Sequence, residues 1–126
     1  MDEQERLSEG MKLRRSVLGD VHVDRSVAGR SEFNGEFLDL ITRYAWGEVW
    51  SRPGLERRTR SLLCIAMMVA LGREEELALH LRAAANNGVT RDEVKEVLLQ
   101  TAIYCGVPAA NSAFHLAARI FGDEER

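Results

Sequence analysis

Three side chains near the middle of the chain have the types and spacing that proton chemistry on an anionic substrate requires. Arg73, Glu76 and His80 follow one another at intervals of three and four residues, so a continuous helix would place them along one line of its surface. Glu76 precedes His80 by one helical turn and could orient the imidazole. A cation, a carboxylate and an imidazole beside an apolar helix face predict a site for proton transfer to a bound anion.

Each of these side chains also has a structural explanation. A half-buried helix histidine such as His80 often bonds a backbone carbonyl or a neighbouring carboxylate. Arg73 and Glu76 lie in the charged run GREEEL, where solvated surface charge is usual. Arg60 precedes an apolar segment, and is either a surface charge at a helix start or the anchor for a substrate carboxylate.

The remaining aromatic and histidine candidates have weaker spacing arguments. Trp46 and Trp50 lie four residues apart, and either wall a substrate pocket or fill a subunit interface. His22 lies in a stretch that reads as a loop. His115 lies near the apolar face of the last helix, where packing or an interface is the usual role.

The two cysteines do not predict redox or metal chemistry. Cys64 and Cys105 lie far apart in apolar surroundings, neither belongs to a CxxC pair, and both are expected to be core thiols. The sequence HLRAA at His80 is not the HExxH zinc motif. We therefore predict no metal site.

Length, composition and charge restrict the classes of protein to which this chain can belong. The chain has 126 residues, 45% hydrophobic and 29% charged, with a formal net charge of −3. We expect a single domain over 1–126, with an N-terminal helix and loop at 1–31, a core at 32–122 and a frayed tail at 123–126. Interspersed charges predict no nucleic-acid partner. The polar N-terminus and the short apolar run at 61–72 predict a soluble, cytoplasmic protein without membrane contact.

Helical periodicity and only two prolines predict an all-α fold of about six helices. The run Ser61–Leu71 is apolar on nearly every side and is expected to be buried as the centre of the core. In the first half we predict a helix at 2–18 and a polar connection with at most one helical turn at 21–30. A helix from about residue 32, an irregular segment at 46–55 and the core helix from about residue 56 follow. The helix from residue 32 carries the apolar stripe Phe33, Phe37, Leu40, Ile41 and Tyr44.

Stop and start patterns divide the second half. Gly72 either separates the core helix from the helix of His80 or kinks the chain between them. The helix of His80 ends at the run 86–88, Asn-Asn-Gly. Thr90 and Glu93 fit a capping box that starts the next helix. That helix is expected to bury one stripe, and Phe114, Ala117, Ala118 and Phe121 are expected to face inward on the last helix. The stripe predicted for the helix after Thr90 is Val94, Val97, Leu98, Thr101, Ala102 and Cys105.

Longer stretches of sequence resemble a known family. The helix of His80, the following NNGVT and a helix ending in YCGVPAA are similar to the carboxymuconolactone decarboxylase and alkylhydroperoxidase D-like superfamily. The stretches LGDVHVDRS and WGEVWSRPGL resemble the decarboxylase branch more narrowly, and the match covers almost the whole chain.

The resemblance implies the helical fold of that superfamily, a homo-oligomer that is typically a hexamer, and no metal or other cofactor. It implies decarboxylation of the dicarboxylate 4-carboxymuconolactone to 3-oxoadipate enol-lactone and CO₂, in the protocatechuate branch of the β-ketoadipate pathway. On this hypothesis His80 donates a proton and Glu76 orients it. The expected substrate-binding residues are Arg73, Arg60, Trp46 and Trp50.

Alkylhydroperoxidase D relatives carry a CxxC pair whose second cysteine precedes a histidine by four residues. Counted from the shared Gly88, that histidine falls on His80, and the two cysteines fall on Arg73 and Glu76. The chain keeps the histidine and lacks both redox cysteines, which argues against peroxidase chemistry. The alternatives are an oligomeric binding protein, a decarboxylase of another carboxylated lactone, and a redox protein that uses one of its two cysteines.

Overall fold

The structure, a computed structural model, describes residues 1–125, and these residues form helices and turns without a strand. The all-α prediction is confirmed, with seven α-helices in the described part rather than about six. A π-helix and a 3₁₀ turn complete the element order, and none of the described helices is long and apolar enough to cross a membrane. The elements are α1 (Glu3–Leu18), α2 (Asp20–Ala28), α3 (Gly35–Ile41), the π-helix (Thr42–Trp50), α4 (Arg57–Leu71), α5 (Glu74–Ala83), the 3₁₀ turn (Ala84–Asn87), α6 (Arg91–Tyr104) and α7 (Val107–Glu124).

The chain divides into two compact units, Met1–Arg57 and the part from Arg58 onward. The single domain over 1–126 stays a prediction.

In the first unit, α1 begins and ends where the sequence predicts. Asp2 accepts a hydrogen bond from the Glu5 backbone N–H, and the Glu5 side chain accepts one from the Asp2 N–H, which completes a capping box. Gly19 ends the helix with a φ of 93°, a conformation that glycine adopts without steric cost.

The polar connection predicted at 21–30 is wrong, because most of this stretch is the helix α2. Val23 is completely buried. Arg15 holds the start of the helix through ion pairs to Asp20 and Asp24, at 3.1 and 2.8 Å. Burial of Val23 and ion pairs to Arg15, which lies outside the segment, stabilise this helix. Its valine-rich sequence by itself only weakly favours a helix.

The irregular segment predicted at 46–55 is also wrong in its first half, where the π-helix continues to Trp50. This helix lies very close to α1. A Cβ added to Gly10 would stand 2.1 Å from the Thr42 carbonyl oxygen, and one added to Gly47 would stand 2.5 Å from the Arg6 carbonyl oxygen. Two glycines on facing helices therefore allow backbone contact that no larger residue permits.

The apolar stripe predicted from residue 33 is not buried within this chain. Phe33 is 89% exposed, Phe37 60% and Leu40 53%, and only Ile41 of the stripe is half-buried. Phe33 also precedes the helix, which begins at Gly35.

In the second unit, one core joins α4, α5, α6 and α7. The stripe predicted on the helix of His80 is confirmed, since Leu77, Leu81 and Ala84 are all buried. The core cluster contains Ile65, Val69, Leu77, Ala78, Leu81, Ala84, Val89, Val94, Leu98, Ala113, Leu116, Ala117 and Ile120.

The prediction that α4 is buried all round is wrong for the single chain. Its buried residues are Ser61, Ile65 and Val69, spaced by four. The opposite side is open to solvent and presents Leu63, Met67 and Leu71, which are 41%, 50% and 68% exposed.

The stop and start signals at Gly88, Thr90 and Gly106 are confirmed, although α5 itself ends at Ala83 and a 3₁₀ turn continues to Asn87. Gly88 has a φ of 77° and ends the 3₁₀ turn. Thr90 accepts from the Glu93 N–H, and the Glu93 side chain accepts from the Thr90 N–H. Glu93 also forms an ion pair with Arg58. Gly106 precedes α7, which has Pro108 in its first turn.

The stripes predicted on α6 and α7 are right only in part. On α6 Val94, Leu98 and Thr101 are buried, but Cys105 is exposed. On α7 Ala117 is buried, whereas Ala118 is exposed. The buried residues of α7 are Ala110, Ala113, Leu116, Ala117 and Ile120.

The helix α7 continues to Glu124, and the frayed tail at 123–126 stays a prediction. Arg91, at the start of α6, forms ion pairs with Glu124 and Glu125. Arg126 lies outside the described residues.

Candidate active site

The site helix α5 begins one residue after Arg73. Arg73 is its N-cap, with φ −93° and ψ 82°, and its carbonyl accepts the first helical hydrogen bond from the Leu77 N–H at 2.8 Å. Glu76 and His80 therefore share one helix face, while Arg73 lies outside the helix. The prediction of one continuous helical line is wrong for Arg73.

Arg73, which precedes the helix, lines a cleft of about 210 Å³ within the second unit. The cleft lies between the end of α4, the start of α5 and the first half of α7. Its polar lining is Arg73, Glu74 and Ser112; apolar side chains form the rest. The apolar lining is Met68, Val69, Leu77, Ala109, Ala113 and Leu116, with Gly72.

Glu76 and His80 belong to α5 but not to the lining of this cleft. Glu76 is exposed in the first turn, where carboxylates interact favourably with the helix dipole. His80 is half-buried in the last turn. The helix thus presents a carboxylate one turn ahead of a partly shielded imidazole, the arrangement that the spacing predicted.

Arg60 is half-buried in α4, one turn before Cys64. Burial raises the pKa of the Cys64 thiol, and the positive charge of Arg60 opposes that rise only in part. Cys64 is therefore a poor thiolate nucleophile. Cys105 is exposed, so its prediction as a core thiol is wrong.

The two tryptophans belong to the first unit and to the π-helix. Their rings stack with centroids 5.0 Å apart and an angle of 25° between planes. Trp46 is 7% exposed, and Trp50 is half-buried. Short π-helical segments are frequent at functional sites, and this one holds an aromatic pair in a fixed geometry.

The other histidines differ in their surroundings. His22 lies in α2 rather than in a loop, and its pKa is lowered by burial and then by the charges of Arg14 and Arg25. His115 is exposed on α7. Among residues 1–125 no three histidine, cysteine or carboxylate side chains are grouped to hold a metal ion.

Two features of the structure were not found from sequence. Ser112 faces the cleft of Arg73 from α7, and no spacing pattern in its surroundings marks it. A basic groove beside Trp50 contains Arg52 and Arg57. These arginines lie in the run SRPGLER, which directly follows Trp50. Two arginines so close to a tryptophan were the sequence feature that could have indicated this groove.

Comparison with known proteins assigns the family. The model of the carboxymuconolactone decarboxylase family matches residues 35–119. The chain belongs to this family. Membership confirms the resemblance of the sequence to the carboxymuconolactone decarboxylases, and the prediction that the chain is a carboxy-lyase is confirmed with it.

Two relatives match nearly the whole of this chain. The chain is 53% identical over 123 residues to a 4-carboxymuconolactone decarboxylase of Acinetobacter baylyi, covering 98% of this chain and 92% of the relative. It is 41% identical over 115 residues to a nitrosuccinic acid decarboxylase of Metarhizium robertsii, covering 91% and 80%. A 48-residue 4-carboxymuconolactone decarboxylase sequence of Pseudomonas putida is 54% identical over its whole length, which is 38% of this chain.

Proposed function

We propose that this protein decarboxylates 4-carboxymuconolactone to 3-oxoadipate enol-lactone and CO₂, in the protocatechuate branch of the β-ketoadipate pathway in the cytoplasm. The observation that carries the proposal is the 53% identity over 98% of the chain to a decarboxylase of that substrate.

The substrate supplies its own electron sink. Its departing carboxylate is attached to a ring carbon next to the ring double bond, and that double bond is conjugated to the lactone carbonyl. When the C–C bond breaks, its electron pair moves through the ring onto the carbonyl oxygen, and CO₂ leaves. A proton added to the ring carbon next to the carbonyl then gives the enol-lactone. The reaction therefore needs no cofactor, metal included; the enzyme must hold two carboxylates, stabilise the oxyanion and deliver one proton.

The cleft of Arg73 suits carboxylate binding and release of CO₂. A guanidinium pairs with a carboxylate through two parallel hydrogen bonds. The apolar side chains that line the rest of the cleft offer little solvation to the departing carboxylate, so neutral CO₂ is favoured against them while the other carboxylate pairs with Arg73. Arg60 is our second candidate for a carboxylate contact, and Trp46 and Trp50 are candidates for contact with the ring.

We assign the proton donor role to His80 and the orienting role to Glu76. The imidazole is partly shielded from water, and the carboxylate one turn earlier can hold it in one orientation and return a proton to it.

The reaction is tested by following the ultraviolet absorbance of enzymatically generated 4-carboxymuconolactone with purified protein in EDTA and without thiol. We expect rapid turnover to the enol-lactone that is unaffected by alkylation of Cys64 and Cys105. If the folded protein showed no turnover, a binding function would replace the proposal; if turnover required a thiol, a redox function would.

A second candidate substrate is favoured by the relative that decarboxylates nitrosuccinic acid. That acid is also a dicarboxylate whose leaving carboxyl group neighbours an electron-accepting group, here nitro instead of a conjugated lactone. The same assay with both substrates compares them by kcat/KM, and a higher value for nitrosuccinate would reassign the substrate.

We further propose that the protein works as a homo-oligomer, a hexamer, with no nucleic-acid or membrane partner. Each unit exposes a row of large apolar side chains that a single chain leaves in water, and rows of this kind are typical of protein interfaces. In the first unit they are Phe33, Phe37, Leu40 and Tyr44; in the second they are Leu63, Met67, Leu71, Leu99, Ile103, Tyr104 and Val107.

A further inference from the structure

Arg14 is a buried cation of the first unit that the proposed reaction does not use. It is 6% exposed and lies on the inner face of α1, where Gly10, Val17 and Leu18 are the other buried residues. The spacing of these four residues is that of one helix face turned toward a core. A guanidinium therefore takes a place on this face at which an apolar side chain would be expected.

The charge of Arg14 has no counter-charge in the described part of the chain. Its one hydrogen bond there is donated by Nη2 to the hydroxyl oxygen of Ser26, at 2.9 Å. The two carboxylates of α2, Asp20 and Asp24, both pair with the neighbouring Arg15. Because a hydroxyl group is neutral, the bond to Ser26 orients the guanidinium without compensating its charge.

A buried charge without a partner is unfavourable, and arginine stays protonated in proteins. Burial, and then the neighbouring charge of Arg15, lower the pKa of Arg14. The guanidinium carries five N–H donors. None of the fully shielded polar atoms that lack a partner among residues 1–125 belongs to Arg14. The donors that Ser26 leaves free therefore reach solvent through the small exposed fraction, where a small anion can contact them.

His22 lies within the electrostatic field of the same guanidinium. It is half-buried in α2, one turn before Ser26. Burial, followed by the charges of Arg14 and Arg25, lowers the pKa of this imidazole. At pH 7 the imidazole is therefore neutral and adds no second buried positive charge beside Arg14.

From these observations we propose that Arg14 binds a small, singly charged oxyanion with the geometry of a carboxylate, and that Ser26 orients the guanidinium for it. One buried positive charge matches one negative charge, and a guanidinium pairs with a planar carboxylate through parallel hydrogen bonds. A doubly charged anion would bring a second charge that has no partner here. The ligand therefore differs from the dicarboxylate proposed as substrate, and nothing in this site depends on the proposed reaction.

Nuclear magnetic resonance of the whole protein can follow both groups. The probes are the Nε–H signal of Arg14 and the ring signals of His22. We would titrate the protein with sodium acetate and, at matched ionic strength, with sodium sulfate. We expect saturable shifts of both signals with acetate and binding of sulfate that is about tenfold weaker or more. Bound acetate offsets the charge of Arg14, so it should also raise the pKa of His22 toward its ordinary value.

Two substitutions of Arg14 and a matched control locate the anion. Arg14→Met should fold, because a hydrophobic residue of similar size often replaces a buried ionic group without loss of stability, and it should abolish the response of His22 to acetate. Arg14→Lys keeps the charge, loses the planar fork, and should bind acetate about tenfold more weakly. Lys12→Met removes a cation of the same helix whose side chain is 72% exposed, and should leave the affinity unchanged.

Two further variants test the positioning role of Ser26. Ser26→Ala removes the hydroxyl that holds the guanidinium, and should weaken acetate binding by about tenfold or less. Ser26→Thr keeps a hydroxyl and should restore the affinity of the parent protein. Equal affinities of Ser26→Ala and the parent protein would overturn the role of Ser26.

Three results would overturn the site itself. The first is the absence of a saturable shift with acetate, and the second is sulfate binding as tight as that of acetate. The third is an affinity equal to that of the parent protein in folded Arg14→Met or Arg14→Lys, with folding checked by circular dichroism.

Discussion

At the scale of single residues, removal of the His80 side chain should lower the catalytic rate and leave the fold unchanged. The imidazole is only half-buried, so His80→Ala should leave the helix content intact. Proton transfer by one positioned side chain contributes about a hundredfold to ten-thousandfold to the rate. We therefore expect kcat to fall about a hundredfold or more, measured by ultraviolet decay of the lactone with circular dichroism as the fold check.

The matched control is His115→Ala, which removes an exposed histidine of α7 and should keep full activity. Activity close to that of the parent protein in His80→Ala would remove this residue from the mechanism.

Arg73 should affect substrate binding more than the chemical step. It lines the cleft through its position ahead of α5, and a charge-assisted pair to a carboxylate contributes about 1.5–3 kcal/mol. We expect Arg73→Ala to lower kcat/KM about tenfold to a hundredfold, mainly by raising KM. Arg82→Ala, which removes an exposed arginine of the same helix, should have little effect. A fall in kcat at unchanged KM would instead place Arg73 at the reacting carboxylate.

His22 makes the stability of the protein depend on pH. Its pKa is lowered in the folded chain by burial and by Arg14 and Arg25, so the unfolded chain binds a proton more readily. The free energy of unfolding is then highest above the ordinary histidine value of about 6.5 and falls as the pH drops below it. Urea unfolding at several pH values should show this fall, and His22→Gln should reduce its slope. An unchanged slope in His22→Gln would assign the pH dependence to other groups.

At the scale of elements, the contact between α1 and the π-helix depends on two small residues. Gly10→Ala would place a methyl group 2.1 Å from the Thr42 carbonyl oxygen. Backbone must move to accommodate it, and overpacking of this kind costs about 1–3 kcal/mol. We expect a lower free energy of unfolding in denaturant titrations followed by circular dichroism.

Gly122→Ala is the matched control, because Gly122 is also helical and nothing lies within 4 Å of an added Cβ. Alanine favours helix over glycine by up to about 1 kcal/mol, so this variant should be unchanged or more stable. Equal stabilities of the two variants would show that the close approach in the first unit relaxes without cost.

The elements also show where local sequence is sufficient. The boundaries of α6 follow from the Thr90 capping box and from Gly106, because caps satisfy backbone groups within a few residues of the chain. The helix α2 and the π-helix could not be predicted in this way. The close approach of Gly47 to Arg6 joins residues distant in sequence, and neither this contact nor the complete burial of Val23 is encoded by local propensity.

At the scale of the whole molecule, exposed apolar rows predict self-association. Ile103→Asp on α6 places a charge at a side chain that is 79% exposed in the single chain. If this surface is an interface, the charge would be desolvated without a partner on assembly, and the oligomer should dissociate. Light scattering coupled to size-exclusion chromatography measures the mass directly.

Asp92→Lys serves as the control for this substitution, since the Asp92 side chain is 95% exposed and should tolerate a charge change. A monomeric parent protein would contradict the proposal of an oligomer, and an unchanged oligomer in Ile103→Asp would place the interface elsewhere.

Much of the identity of this protein was determined by sequence alone. Helical periodicity and caps predicted the all-α fold, and the resemblance around His80 predicted the family and the decarboxylase class, because these properties depend on short-range patterns. The tertiary structure decided how side chains from different elements meet. It placed Arg73 outside its helix and in a cleft with Ser112, exposed Cys105 and the apolar side of α4, and gathered Arg52, Arg57 and Trp50 into one groove. These arrangements depend on packing between residues far apart in the chain, which periodicity and spacing do not describe.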